Sequence, residues 1–232
     1  MSFKFLYICT NNIVNQFCYI GYMNKIDQTE SQNTEQKIIE AAEQEFLIKG
    51  FDGARTTSIA AKAGVTHAMF HYYFRTKEKI FEKIISQKLE LLTRLIMDSI
   101  SLENLDLEEK LKRIVDSHID FVSENPELPG FLVREIFNNP ERFDILKARF
   151  ETFAPLLIQN LQKELDKGHE AGKYRKTDAR MLLIDIISLN IFPYMAAPLI
   201  NSILSDFMEN KEKFKELRKK ENFETIMRKI KV

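Results

Sequence analysis

The stretch TTSIAAKAGVTHAMFHYYF, residues 56–74, decides the reading of this chain. SIAAKAG, residues 58–64, has helical character and stops at Gly64, and HAMFHYYF, residues 67–74, is a second short helical piece. Thr57 stands where it can cap the first piece and Thr66 where it can cap the second. Two short helices joined by a tight glycine-containing turn make a helix-turn-helix unit, whose second helix fits the major groove of DNA. The pattern has physical reasons. Ala60 is small where the helices cross, Gly64 supplies a turn conformation that a side chain resists, and Ile59, Val65 and Phe70 fill the wedge. These residues account for folding; they do not by themselves account for DNA binding.

Outward from this unit, helix follows helix. Ile38, Ile39, Ala42, Phe46 and Leu47 recur at helical spacing from Thr34 on, and Gly50 is a stop signal. From Thr76 an apolar pattern runs through Ile80, Phe81, Ile84, Ile85, Leu92, Leu95 and Ile96 to about Ile100. A helix is predicted over 107–124, with Leu111, Ile114, Val115, Ile119 and Val122 on one side. Pro126 and Pro140 bracket a short helix, and a long one over 141–171 ends at Gly168 or Gly172. An apolar helix is predicted from Asp178 to Asn201 and a charged one from Ser205 to the end. No strand-period segment of any length interrupts them, so the fold class is all-α, about nine helices.

The 232 residues, with 44% hydrophobic and 29% charged residues, suit one or two globular domains with a real core. Seven Gly and six Pro disfavour a fold rich in strands and turns. Cys9 and Cys18 cannot make a disulfide scaffold, so a reducing cytoplasm is the default location. The apolar N-terminus has Lys4 as its charged region, is broken by Asn11, Asn12 and Asn15, and lacks a small-x-small cleavage site, which rejects a secretory signal. Met23 opens a polar stretch that reads as a bacterial start, making residues 1–22 a mis-called extension or a loosely ordered arm. Residues 182–204 near the length of a membrane span but carry Asp185, Asn190, Pro193, Pro198 and Asn201, so a buried helix is the reading.

From Thr34 to about Phe81 the chain resembles the N-terminal DNA-binding domain of the TetR family of bacterial transcription regulators. The resemblance rests on Ala41-Ala42, Phe46, Gly50-Phe51, Thr57, Ile59-Ala60, Ala63-Gly64-Val65, Phe74 and Lys77-Glu78. Ala68 stands where the family usually has Gly, and His71 where it usually has Tyr. The resemblance implies a three-helix helix-turn-helix domain, residues 31–78, after an extension over 1–30. It is followed by a larger C-terminal helical domain, residues 79–232, for effector binding and dimerisation. It implies phosphate contacts by Thr57, His71, Tyr72 and Lys77 and base-edge contacts by Thr66, His67 and Met69, with Thr56 completing the DNA-facing set. Tyr72 can take over a phosphate contact that His71 is too short to make.

His67 and His71 also have the spacing of a helical metal pair, but HAMFH lacks the Glu of a zinc protease and no Cys or carboxylate completes a site. No metal and no cofactor is therefore expected. No nucleophile–base set, paired catalytic carboxylates or phosphate-binding Gly loop stands out, so an enzyme is not expected. The family places an effector pocket among the later helices. His118, Phe121, Phe137, Phe153, Tyr174, Asn190 and Tyr194 are the candidates here, with His118 as a polar fixer or a satisfied core histidine. Arg134 and Glu135 read as a solvated pair.

The formal net charge is zero, with 34 Lys+Arg against 34 Asp+Glu, yet this is a cancellation. Arg55, Lys62, Arg75, Lys77 and Lys79 outnumber Asp52 and Glu78 across the helix-turn-helix, residues 98–127 are acidic, and residues 211–232 are basic. The expected protein is a homodimeric repressor that leaves operator DNA on binding a small lipophilic effector, with no membrane partner. The alternatives are a ligand-independent DNA-binding regulator or activator, and a helical protein-interaction module with a vestigial helix-turn-helix.

Overall fold

Gly50 is where the first helix gives way. Helix α1, Asn12–Gly53, is broken at Gly50, whose φ of 69° lies in the left-handed region that favours glycine. The structure, a computed structural model, describes residues 12–100, 105–204 and 210–232. The side chains of 12–31, 99–100, 136–138, 141, 145–146 and 149 are outside the described ones. Of the extension expected over 1–30, residues 1–11 lie outside the described ones and the backbone of 12–30 belongs to α1.

After α1 come α2 (Thr56–Lys62), α3 (His67–Phe74), α4 (Lys77–Ile100), α5 (Leu107–Glu124) and α6 (Leu128–Asn138). They are followed by α7 (Pro140–Glu170), α8 (Ala179–Met195), α9 (Ala197–Leu204) and α10 (Lys211–Ile230). Among the described residues there is no strand, only one isolated antiparallel bridge between Tyr174 and Lys231. The all-α reading holds. The chain divides into two compact units between Phe81 and Glu82, inside α4 and three residues beyond the expected boundary at 78/79.

In the first unit, Ile38, Ala42 and Phe46 of α1 are buried, together with Ile59 and Ala60 of α2, Phe70 and Phe74 of α3, and Ile80 and Phe81 of α4. Phe46, Phe51 and Phe81 form a three-ring cluster with centroids 5.0–5.7 Å apart, Phe46 and Phe51 stacked and Phe81 edge-on to both. Losing one such ring costs about 3–5 kcal/mol.

The second unit is built around α5, α8 and α10, with α6 and α7 against α8. Asp106 and Glu109 start α5 with a reciprocal capping box. Leu111, Ile114, Val115, Ile119 and Val122 then bury the face that their spacing predicts. The predicted single helix from Asp178 to Asn201 is instead two: α8 and α9 meet at Ala196 with a bend of 69°. The backbone explains why. Pro193 has no N–H for the carbonyl of Leu189, and Pro198 sits in the first turn of α9. The Leu189 carbonyl accepts from Arg218 Nη2 of α10 at 2.9 Å, so a side chain replaces the missing helical bond. No single described helix is long and apolar enough to cross a membrane.

Candidate nucleic-acid interface and effector cavity

The helix-turn-helix is held in three ways. Gly64, at φ 68°, makes the turn between α2 and α3. The Thr66 hydroxyl accepts from the Met69 amide at 3.2 Å, capping α3 as its position predicts. The third hold was not read from the sequence. Glu45, fully buried on α1, accepts from Lys49 at 2.6 Å and from Lys62 of α2 at 2.5 Å. Burial works against its charge, but hydrogen bonds from Lys49, Lys62 and Ser58 outweigh it and hold the carboxyl at about 2. The signal was present in the spacing, since residue 45 falls one turn from Ala41 and Ala42 on the buried face.

Thr57 does not cap α2. The helix begins at Thr56, and Arg55, its N-cap, makes no side-chain cap bond. Thr56 turns to α3 instead, its hydroxyl 3.0 Å from His67 Nε2. His67 Nε2 is 3.1 Å from His71 Nε2, and His71 Nδ1 is 2.7 Å from the carbonyl of Arg75. A carbonyl only accepts, so His71 Nδ1 carries a proton. Thr56, His67 and His71 thus form one hydrogen-bonded row from the start of α2 to the end of α3. Tyr72 is 80% exposed and Met69 39% exposed, while Phe70 and Phe74 lie in the core.

Lys77, for which the resemblance implies a phosphate contact, is engaged within the unit. Its ammonium donates to the carbonyls of Phe51 at 2.8 Å, Ala54 at 3.2 Å and Asp52 at 3.5 Å, and lies 4.5 Å from the Phe51 ring centroid. Three donors on three carbonyls make it the clamp on the end of α1. Among the DNA-facing candidates, the structure therefore groups Thr56, His67, His71, Met69 and Tyr72 around α3 and sets Lys77 apart.

In the second unit a cavity of about 390 Å³ is lined by α4, α5, α6, α7 and α8. Its walls are almost wholly apolar and include Leu89, Leu92, Phe121, Phe150, Phe153 and Ile187, with His118 set among them. Of the predicted pocket residues, His118, Phe121 and Phe153 line it. Asn190 lies behind it, bonded to His118 at 3.0 Å. The side chain of Phe137 is outside the described ones. Tyr174 and Tyr194 do not line this cavity. Tyr174 is buried beside Gly168, its hydroxyl raised above the ordinary range by burial and by the charges of Glu108 and Asp106. Tyr194 packs edge-on to Phe214 of α10 at 6.0 Å. Glu135 is not solvated: it is buried and paired with Arg142, and Arg134 lies over the Phe131 ring. Phe150, Leu89 and Leu92 were missed as cavity residues because apolar periodicity does not separate a wall from a filled core.

His118 is a buried histidine bonded at Nδ1 that also forms part of the cavity wall. Its burial pushes the imidazole down to about 4, so it is neutral at pH 7. Asn222 donates to Asn190 Oδ1 at 2.7 Å, and the Asn190 amide donates to the Val115 carbonyl at 3.3 Å. α10, α8 and α5 are thereby joined by one buried polar row.

Two family models match the chain: bacterial regulatory proteins of the tetR family over residues 38–84, and the tetracyclin repressor-like C-terminal domain over residues 108–225. The chain is similar to the uncharacterized HTH-type transcriptional regulator YdgC of Bacillus subtilis, at 33% identity over 57% of this chain and 66% of that one. It is also similar to IcaR of Staphylococcus aureus, the negative transcriptional regulator of the biofilm operon icaADBC, at 25% identity over 61% of this chain and 72% of that one. In fold it is similar to the fatty acid degradation regulator FadR of Bacillus halodurans, with a TM-score of 0.61, 20% identity, and 83% and 97% of the two chains covered. The ketosteroid transcriptional regulator KstR2 of Mycobacterium tuberculosis gives a TM-score of 0.62 at 14% identity over 85% and 95%. The second model alone spans just over half the chain, beyond the helix-turn-helix that carried the resemblance, and so the chain belongs to the TetR family of transcriptional regulators.

Proposed function

We propose that this regulator is a homodimeric repressor that binds operator DNA through α3 and is released by a small lipophilic effector held in the 390 Å³ cavity. The observation that carries the reading is the pairing of a capped, exposed α3 in one unit with an apolar cavity in the other. Thr66, His67, Met69, His71 and Tyr72 supply the polar and exposed groups of α3. Thr56 steadies His67, and Arg55 and Arg75 add positive charge beside them. Dimerisation is supported by a row on α8 and α9. Met181, Ile184, Phe192, Met195 and Leu199 are all exposed, although the opposite side of α8 already buries Leu182, Ile186 and Asn190. A helix apolar on both sides has a second partner to meet, and a second copy of the same row satisfies an isologous contact.

The regulatory step needs only that the effector binds one conformation better than the other. Helix α4 is suited to carry the difference, since it follows α3 directly in sequence and gives Leu89, Leu92 and Ile96 to the cavity. The fatty acid and ketosteroid regulators of similar fold are named for lipophilic molecules, which accords with an apolar cavity here. The test is selection of genomic DNA fragments by the full chain, followed by titration of the complex with a panel of fatty acyl and sterol compounds. A near-palindromic site, bound by two chains and released by a panel member, is the expected outcome. Specific binding that no lipophilic compound weakens would favour the ligand-independent regulator.

A further inference from the structure

The cavity is not uniformly apolar: among the described residues one buried polar group lines it, and that group is oriented. His118 is 6% exposed and lines the cavity among Phe121, Val122 and Ile186. The identity of the Asn190 amide atoms follows from its neighbours. The group 3.3 Å from the Val115 carbonyl must be the NH₂, because a carbonyl cannot donate. That NH₂ also faces His118 Nδ1 at 3.0 Å, and the Asn190 oxygen is taken by Asn222 at 2.7 Å. Nδ1 of His118 is therefore an acceptor, and the neutral ring carries its proton on Nε2. Nε2 has no hydrogen-bond partner among the described residues. His118 lines the cavity, so this N–H is available to an acceptor on a molecule bound there.

We infer that the effector is an uncharged, predominantly hydrocarbon molecule that presents one acceptor oxygen, a ketone, ester or hydroxyl, to His118 Nε2–H. The inference rests on the effector reading above. A cavity of about 390 Å³ lies within the range of small-molecule sites, about 300–1,000 Å³. A carboxylate is a poor fit at His118, because a neutral imidazole does not compensate a buried negative charge. The cation on the cavity lining, Arg180, is largely exposed and forked onto Asp178, with Nε 3.0 and 3.1 Å and Nη2 2.5 Å from the carboxylate oxygens. Asn190 and Asn222 are positioning residues. They hold the tautomer that lets His118 donate.

The probes are 2-undecanone, undecane and undecanoate, each titrated into the full-length protein by calorimetry at pH 7.5. The ketone is expected to bind about five- to tenfold more tightly than the hydrocarbon, the value of one neutral hydrogen bond in an apolar site. That preference is expected to vanish in His118→Phe and to shrink in Asn190→Leu. Imidazole ¹⁵N shifts of the unliganded protein are expected to show His118 protonated on Nε2, and this readout needs no variant to fold. Equal binding of ketone and hydrocarbon, tightest binding of undecanoate, or a proton on Nδ1 would each overturn the inference while leaving a lipophilic cavity in place. Binding of none of the three probes would overturn the effector reading itself.

Discussion

His118 makes the stability of this protein depend on mild acid, and the size of the effect follows from where the ring lies. The side chain is 6% exposed and its imidazole is pushed from the ordinary 6.5 down to about 4 by burial. Because the folded value is the lower one, the unfolded chain binds the proton more readily. The contribution is fully present above 6.5 and is lost as pH falls from 6.5 toward 4. At 1.36 kcal/mol per pH unit the total is roughly 3 kcal/mol, of which about 2 kcal/mol is gone between pH 7.5 and pH 5. For a chain of this size that corresponds to roughly 4–8 °C in melting temperature. The assay is thermal unfolding by circular dichroism at half-unit pH steps, comparing the natural protein with His118→Gln. The other three histidines are common to both proteins and cancel in the difference. The natural protein is expected to lose about 2 kcal/mol more than the variant across that range. Parallel pH profiles would refute the argument, since they would mean that His118 charges without penalty in the folded state.

Other substitutions probe single parts of the structure. Glu45→Gln is expected to cost about 1–2 kcal/mol at pH 7, a discounted figure because Lys49 and Lys62 are 46% and 37% exposed, and the difference from the natural protein should close between pH 4.5 and 2. Lys77→Ala is expected to lower stability by about 1–3 kcal/mol through the carbonyls of Phe51, Ala54 and Asp52, while leaving the slope of log affinity against log salt unchanged for the folded fraction. A slope smaller by about 0.9 would restore Lys77 as a phosphate contact. Gly168→Ala places a methyl group 2.1 Å from the Tyr174 ring, so chemical denaturation is expected to show a loss of about 1–3 kcal/mol.

What the sequence made legible was what is decided locally. The turn at Gly64, the cap at Thr66 and the buried spacing of Ile59, Ala60 and Phe70 all lie within a dozen residues of one another. Helix α5 was equally readable, since its apolar face lies within one segment. Partners distant along the chain were not readable. Lys77 meets a carbonyl 26 residues away, Arg218 replaces a hydrogen bond that Pro193 removes from α8, and Glu135 pairs with Arg142. The apolar run over 182–204 concealed its bend because hydropathy does not register a missing amide proton. Tyr174 and Tyr194 looked like pocket aromatics, but their direction is set by Gly168 and Phe214, which only the packed structure brings to them. The orientation of His118 depends on Asn190 and Asn222, 72 and 104 positions further on.

The proposed function requires that the exposed side of α3 read DNA. The most direct test is fluorescence anisotropy of the full chain on its selected genomic site and on a scrambled duplex at one fixed salt concentration, repeated with Met69→Ala and Tyr72→Ala. The natural chain is expected to prefer its site by about 10³-fold or more. Tyr72→Ala is expected to weaken binding to both duplexes and Met69→Ala to narrow the preference between them. Equal affinity for both duplexes in the natural chain, or no effect of either substitution, would contradict it.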